Sequence, residues 1–243
     1  MAGAYLLELP GLTPYAEAWA LQRALADSVK EGLVPDTVVL LEHEPVITLG
    51  RRTDESAEVH LPEGIEVEIV ETNRGGKSTF HGPGQLVCYP ILDLKRHGHD
   101  LKRYVRDLER AIIGTVSRFG LEAAVFEGLT GVWMPPTAIA PPRKLASIGV
   151  HASRWVSTHG YALNVDLDPA PFSDWITACG LEDASFTTMA LELGRPVSVG
   201  EVHAAAAETI GEVFGLELES LPAEVLAELG TPPVEAGAQG ARP

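Results

Sequence analysis

The 243-residue chain is 45% hydrophobic, which is ample for the core of one large domain and excludes disorder over most of its length. Its 18 basic and 34 acidic residues give a formal charge of −16, which opposes general nucleic-acid binding through phosphate contacts. No stretch reaches the ~18 apolar residues of a membrane span and the N-terminal run lacks a basic n-region, so a soluble, cytoplasmic protein with no membrane partner is expected.

Tyr5 to Leu9 alternates as a first strand. Thr13 as N-cap and Pro14 at the first helical position then predict a helix whose buried stripe is Ala18, Leu21, Leu25 and Val29. Two β-rich runs follow, Thr37 to Leu41 and Val46 to Leu49, joined by an acidic turn. Val67 and Ile69, set among glutamates, alternate as a half-buried strand leading into a glycine-rich segment, and Gln85 to Leu92 is the strand leaving it. Asp100 caps a helix in which Leu101, Tyr104, Val105, Leu108, Ile112, Thr115 and Phe119 keep a 3.6-residue period. Glu122 to Phe126 and Gly131 to Met134 read as strands, separated from Lys144 by a proline-rich loop over 135–143 that can form neither helix nor central strand. Leu145 to Val150 and His159 to Val165 form a hairpin about a polar middle. Ser198 with Glu201 is a capping box ahead of a helix using Val202, Ala206, Ile210 and Val213. Residues 1–221 therefore read as one domain, and the Ala, Gly, Pro and Glu content of 222–243 as a frayed tail. Helices and antiparallel hairpins mix without a strict βαβ rhythm, so the fold class is α+β, a mixed sheet with flanking helices.

The segment Arg74-Gly75-Gly76-Lys77-Ser78-Thr79-Phe80-His81-Gly82-Pro83-Gly84-Gln85 concentrates glycines, basic residues and a histidine. Such a stretch brings backbone N–H donors close to a small ligand, and it has neither the GxxxxGK[ST] nor the GxGxxG spacing of a nucleotide loop. The two cysteines, Cys88 and Cys179, are too few for a disulfide framework and too far apart for a zinc ribbon. Cys88 lies in an apolar strand and reads as core. Cys179, followed by Gly180, is open to two readings, a small buried hydrophobe or an accessible nucleophile. Lys144 likewise reads either as a solvated strand-edge charge or as a base or a cation beside a thiol, where one close ammonium makes a substantial thiolate fraction at neutral pH. His81, His151 and His159 match no metal spacing, so no metal is expected, and His81 and His159 are assigned to orienting backbone or substrate polar groups.

Three separated motifs in order, RGGKSTFHGPGQLVCYPI at 74–91, KLASIGVHASRWVSTHGYALNV at 144–165 and ACGL at 178–181, resemble the lipoyl(octanoyl) transferases, most strongly over residues 35–193. The resemblance implies the fold of biotin and lipoate protein ligases, and transfer of an octanoyl group from octanoyl-acyl carrier protein to a lysine of lipoyl domains in lipoate biosynthesis. The implied acceptors are the lipoyl domains of 2-oxoacid dehydrogenases and the glycine cleavage H protein, with no cofactor required. It implies Cys179 as the acyl-thioester nucleophile and Lys144 as its activator. Substrate binding is implied for Arg74, Gly75, Gly76, Lys77, Ser78, Thr79, Phe80 and His81, for Ser147, Ile148 and Gly149, and for Gly160, Tyr161 and Ala162. Ala178 stands where the family usually has proline, and the PPTAIAPP stretch lengthens the loop before Lys144. An acidic carrier conflicts with a charge of −16 unless cations are gathered locally, and Lys102, Arg103, Arg106 and Arg110, with Lys95 and Arg96 before them, form the expected docking face. The rival expectations are an ATP-dependent lipoate or biotin ligase of the same fold, which needs no thiol, and a non-catalytic acyl-binding protein, which needs neither Cys179 nor Lys144.

Overall fold

Apolar strands build a broad mixed sheet in this computed structural model, which describes residues 1–53, 59–176 and 185–229. In chain order the elements are β1 (Ala2–Thr13), α1 (Tyr15–Glu31), β2 (Thr37–His43), β3 (Val46–Leu49), β4 (Glu68–Glu71), β5 (Thr79–His81), β6 (Gln85–Ile91) and α2 (Leu101–Ser117). There follow β7 (Ala124–Phe126), β8 (Leu129–Met134), β9 (Arg143–Ser153), β10 (Val156–Asn164), α3 (Ala170–Asp174), β11 (Ser185–Phe186), α4 (Met189–Leu193), α5 (Val199–Phe214), β12 (Leu216–Ser220) and α6 (Ala223–Glu228). The large sheet runs β12-β1-β2-β6-β10-β9-β8-β7, with β11 added alongside β9, and a small sheet runs β4-β3-β5. The β12-β1, β1-β2 and β9-β11 pairs are parallel and the rest of the large sheet is antiparallel, an α+β arrangement as expected.

The two faces of the large sheet bury different helices. Leu40, Leu86, Cys88 and Leu163 face α2 and α5, where Tyr104, Leu108, Ile112, Val202 and Ile210 meet them. Val39, Leu41, Val87 and Ile91 face α1, meeting Leu21, Leu25 and Val29. Asp100 accepts from the backbone N–H groups of Lys102 and Arg103 and starts α2, while the Ser198–Glu201 capping box starts α5. At α1 the expected cap is corrected: Pro14 itself is the N-cap, because Thr13 ends β1, where it pairs with His43 and its carbonyl accepts from His43 Nδ1 at 2.9 Å.

Two other expectations shift, and the expected hairpin gains its turn type. Ile69 is 47% exposed, because β4 pairs only along one edge of the small sheet. The hairpin turn is Arg154-Trp155, both with positive φ, the pattern of a two-residue type I′ turn. Residues 223–228, assigned to the tail, form α6, from which Leu226 and Leu229 pack on the α1-side core. Residues 230–243 lie outside the described residues. No helix among the described residues is long and apolar enough to cross a membrane.

Candidate active site

A pocket of about 530 Å³, counting its open mouth, lies between the α1 face of the large sheet and the glycine-rich segment. Arg74, Gly76, Lys77, Ser78, Thr79 and His81 form one wall, while Ser147, Ile148 and Gly149 of β9 with Gly160, Tyr161 and Ala162 of β10 form the other. Lys144 also lines it. The hairpin brings its two contributions together by register, since Gly149 pairs with Gly160, Ile148 with Tyr161 and Ser147 with Ala162. Gly160 sits where a Cβ would come within 2.1 Å of the Cys88 carbonyl oxygen, so only glycine lets β10 lie this close to β6.

Two assigned residues lie elsewhere. Phe80 turns its ring away, edge-on to Phe172 and Trp175, because in β5 it alternates with Thr79 and His81. Gly75 lines a neighbouring groove, and its N–H donates to the Val150 carbonyl at 2.9 Å, so it is not an oxyanion donor in this arrangement. Gly82 and Gly84 shape the turn into β6. Gly84 has φ +86 and a Cβ there would come within 2.7 Å of the Asp166–Leu167 backbone. Arg74 serves as a clamp as well as a lining residue: its guanidinium donates to the Thr48 carbonyl at 2.6 Å, to the Thr48 hydroxyl and to the Gly75 carbonyl, tying the loop to β3.

Lys144 is only 4% exposed, and its Nζ lies 5.1 Å from the centroid of the Trp133 ring. Its strand is flanked on one side by β8, where it pairs with Trp133, and touched by β11, where it pairs with Phe186. The Thr187 N–H donates to the Lys144 carbonyl at 3.0 Å. Cys179 lies outside the described residues. The first described residues after it, Ser185–Phe186, pair with Arg143–Lys144. Cys88 is fully buried between the sheet and α2, and burial pushes its thiol up to about 12.

The inner end of the site is a cluster of neutral polar groups that sequence reading only touched through His81 and His159. Tyr15 and Tyr89 line the pocket and His43 stands behind them. His43 Nδ1–H donates to the Thr13 carbonyl, leaving Nε2 to accept from the Tyr89 hydroxyl at 2.6 Å. His159 contacts Asn73 Oδ1 at 2.7 Å and the Tyr15 hydroxyl at 3.5 Å, and its own N–H donates to Gln22 Oε1. It is held at φ +58, an unusual conformation for a non-glycine residue. His81 donates to Gln85 Oε1 at 2.7 Å, Gln85 to Asn164 Oδ1, and Asn164 to the Thr187 carbonyl, a chain that ends beside the Lys144 strand.

Burial keeps these rings uncharged: it pulls His43 down to about 4 and His159 down to about 3, with Arg74 adding to the second, and it pulls His81 well below the ordinary histidine range. Burial raises the Tyr15 phenol to about 12. The pocket is thus walled by backbone, by neutral histidines and tyrosines and by the cations Arg74 and Lys77, with Lys144 buried at one side. No group of three His, Cys, Asp or Glu side chains that could hold a metal occurs among the described residues.

Residues 14–211 match the family described as the lipoyl protein ligase A/B catalytic domain. The chain is 44% identical over 223 residues to an octanoyltransferase of Mycobacterium leprae, covering 90% of this chain and 93% of that one. It is 47% identical over 208 residues to an octanoyltransferase of Geobacter sulfurreducens, with 86% and 83% covered. Among solved structures, a lipoate-protein ligase A bound with ATP superposes with a TM-score of 0.74 at 16% identity, over 95% of this chain and 93% of that one. A bipartite lipoate protein ligase of Thermoplasma acidophilum superposes at 0.69 and 16% identity, over 95% and 91%. These two likenesses speak to the fold.

Proposed function

The chain belongs to the lipoyl protein ligase A/B catalytic domain family and acts as an octanoyltransferase of lipoate biosynthesis, and from that premise we propose that it works through a covalent thioester on Cys179, activated by Lys144. The observation that carries this reading is Lys144 itself, nearly fully buried in the wall of a pocket it shares with uncharged histidines and tyrosines, on a strand whose start pairs with Ser185–Phe186, the first described residues after Cys179.

The donor is the thioester of octanoyl-acyl carrier protein. Lys144 takes the proton of Cys179, and the resulting thiolate attacks the carbonyl carbon. Collapse of the tetrahedral intermediate forms the enzyme thioester and releases the carrier thiol, which regains the proton from Lys144. One thioester is exchanged for another, so the step is nearly thermoneutral and no nucleotide is consumed. In the second half, the lysine amine of a lipoyl domain of a 2-oxoacid dehydrogenase or of a glycine cleavage H protein attacks. Lys144 receives the amine proton, an amide forms, and Cys179 leaves as the thiolate. With the Gly75 N–H engaged, the oxyanion is assigned to Gly76 or to the 147–149 arm. We place the transfer in the cytoplasm, where thiols stay reduced.

Intact-protein mass spectrometry after mixing with octanoyl-acyl carrier protein tests the scheme. A hydroxylamine-labile octanoyl adduct is expected on the native chain and on Cys88→Ala, and none on Cys179→Ala. The same fold supports adenylating ligases, so the parallel arm uses free octanoate with ATP: modification of a lipoyl domain that survives Cys179→Ala would overturn the thioester reading.

A further inference from the structure

A second concavity, about 2030 Å³ counting its mouth, runs along the outer side of α2 to the β7–β8 hairpin. Its floor is apolar, built from Val105 and Ile113 of α2 and Ile148 and Val150 of β9, and Leu101 and Val125 at its margins are 39% and 47% exposed. Four cations line it, Arg52, Lys102, Arg106 and Arg110, against two carboxylates, Glu109 and Glu127. That balance is opposite in sign to the chain as a whole, whose formal charge is −16. The structure also sorts the cations expected to dock a carrier. Arg96 is committed to the buried Asp36 at 2.6 Å, and Arg103 leans on Asp107 at 3.6 Å; neither lines the groove. Arg110 lines it while sharing Asp107 at 2.8 Å.

The groove and the acyl pocket share Gly76, Ile148 and Gly149. The reason lies in the edge of β9. Near its start β9 is paired with β8, from Arg143 to Ala146, whereas at Val150 that edge is met by Gly75 of the glycine-rich loop. Between these two contacts the edge is left to Ser147, Ile148 and Gly149, of which the last two line both cavities. At Gly149 a Cβ would come within 2.8 Å of the Gly75 carbonyl oxygen, so glycine is needed for the loop to close this near the strand.

We propose that this groove seats the donor: the acidic surface of the acyl-carrying protein rests on the Lys102–Arg106 rim, and its phosphorylated pantetheine arm runs over the apolar floor and around the β9 edge into the pocket. The inference rests on the octanoyl-transfer reading and adds to it the route by which the acyl group arrives. Charge selects the donor over the acceptor. Four cations line the groove, which would repel the ammonium of an acceptor lysine, whereas a pantetheine arm is long, flexible and anionic at its root and can follow the groove past Ile148 and Gly149 into the pocket. Electrostatic docking of this kind acts mainly on encounter, so its signature is salt-sensitive.

The test compares octanoyl-acyl carrier protein with octanoyl-N-acetylcysteamine, a neutral thioester that lacks both the carrier and the phosphorylated root of the arm. In the double variant Lys102→Glu, Arg106→Glu, KM for the carrier donor should rise at least about tenfold at low salt, with less effect at high salt, while turnover of the short thioester and KM for the acceptor domain stay at the native values. Val105→Trp, which fills the floor, should slow the carrier donor and octanoyl-phosphopantetheine but spare the short thioester. An unchanged carrier KM, an equal loss with both donors, or a rise in acceptor KM instead would each overturn the docking proposal. A native chain that transfers octanoyl from neither donor would overturn the transfer reading, and the docking route with it.

Discussion

Successive residues of β6 serve two different environments. Leu86 and Cys88 point into a dry core beneath α2 and α5, whereas Val87 and Tyr89 point toward α1 and the pocket, where tyrosines, histidines and Arg74 are buried together. The dry face is held by volume, and a deleted methylene is felt there as a cavity. The pocket face is held by paired hydrogen bonds among groups that burial keeps neutral, so it answers to proton activity and to the loss of single polar atoms. One face of the sheet is thus core throughout, whereas the other divides its area between the α1 core and the site.

The sharpest way to break that division is a crossed pair of variants. Lys144→Ala should lower octanoyl transfer by about 10²–10⁴-fold, the range for loss of a general acid–base group, with a small change in melting temperature. Leu108→Ala, fully buried under α2, should cost about 2–5 kcal/mol in denaturant unfolding while the folded fraction transfers at the native rate. If Lys144→Ala unfolded the chain and Leu108→Ala slowed the chemistry, the two faces would not be separable.

Acid should act on one face only. His43 and His159 have folded-state values near 4 and 3, below the ordinary 6.5 of the unfolded chain, so the unfolded state binds more protons below pH 6.5. The stability these rings confer is fully present above that pH and is lost as pH falls toward their folded values. At pH 5 the loss is on the order of 2 kcal/mol for each buried imidazole. Urea midpoints measured from pH 7.5 to 5 should fall accordingly, and His43→Gln should flatten the fall. A flat profile in the native chain would mean that the cluster is already charged or open to water.

Local rules made much of this fold legible, and non-local register hid the rest. Asp100, the Ser198–Glu201 box and the two arms of the hairpin each declare themselves within a few residues, and each is found where expected. Phe80 reads as a ligand residue because it stands inside the glycine-rich motif; strict alternation along β5, with Thr79 and His81 on the pocket side, sends it to the opposite face. Tyr15, Tyr89 and His43 carry no local signal of a shared site. They come from α1, β6 and β2, and only the β1-β2-β6 pairing places them around one cavity. Thr13 looked like a helix cap because its partner across the sheet, His43, is thirty residues away in sequence.

A smaller effect sharpens the comparison further. Thr188 is 1% exposed and caps α4 by accepting from the Leu191 N–H at 3.1 Å, and α4 delivers Met189 into the α2-side core. Thr188→Ala should cost about 1 kcal/mol, the usual loss for a helix N-cap, and lower the melting temperature by roughly 2–4 °C for a chain of this size. Since a threonine hydroxyl does not titrate, the loss should be the same at pH 7.5 and pH 5, displacing the stability profile without changing its slope. A steeper acid fall in this variant would show that the dry face is coupled to the imidazole cluster through Asn164, whose side chain donates to the Thr187 carbonyl one residue before the cap.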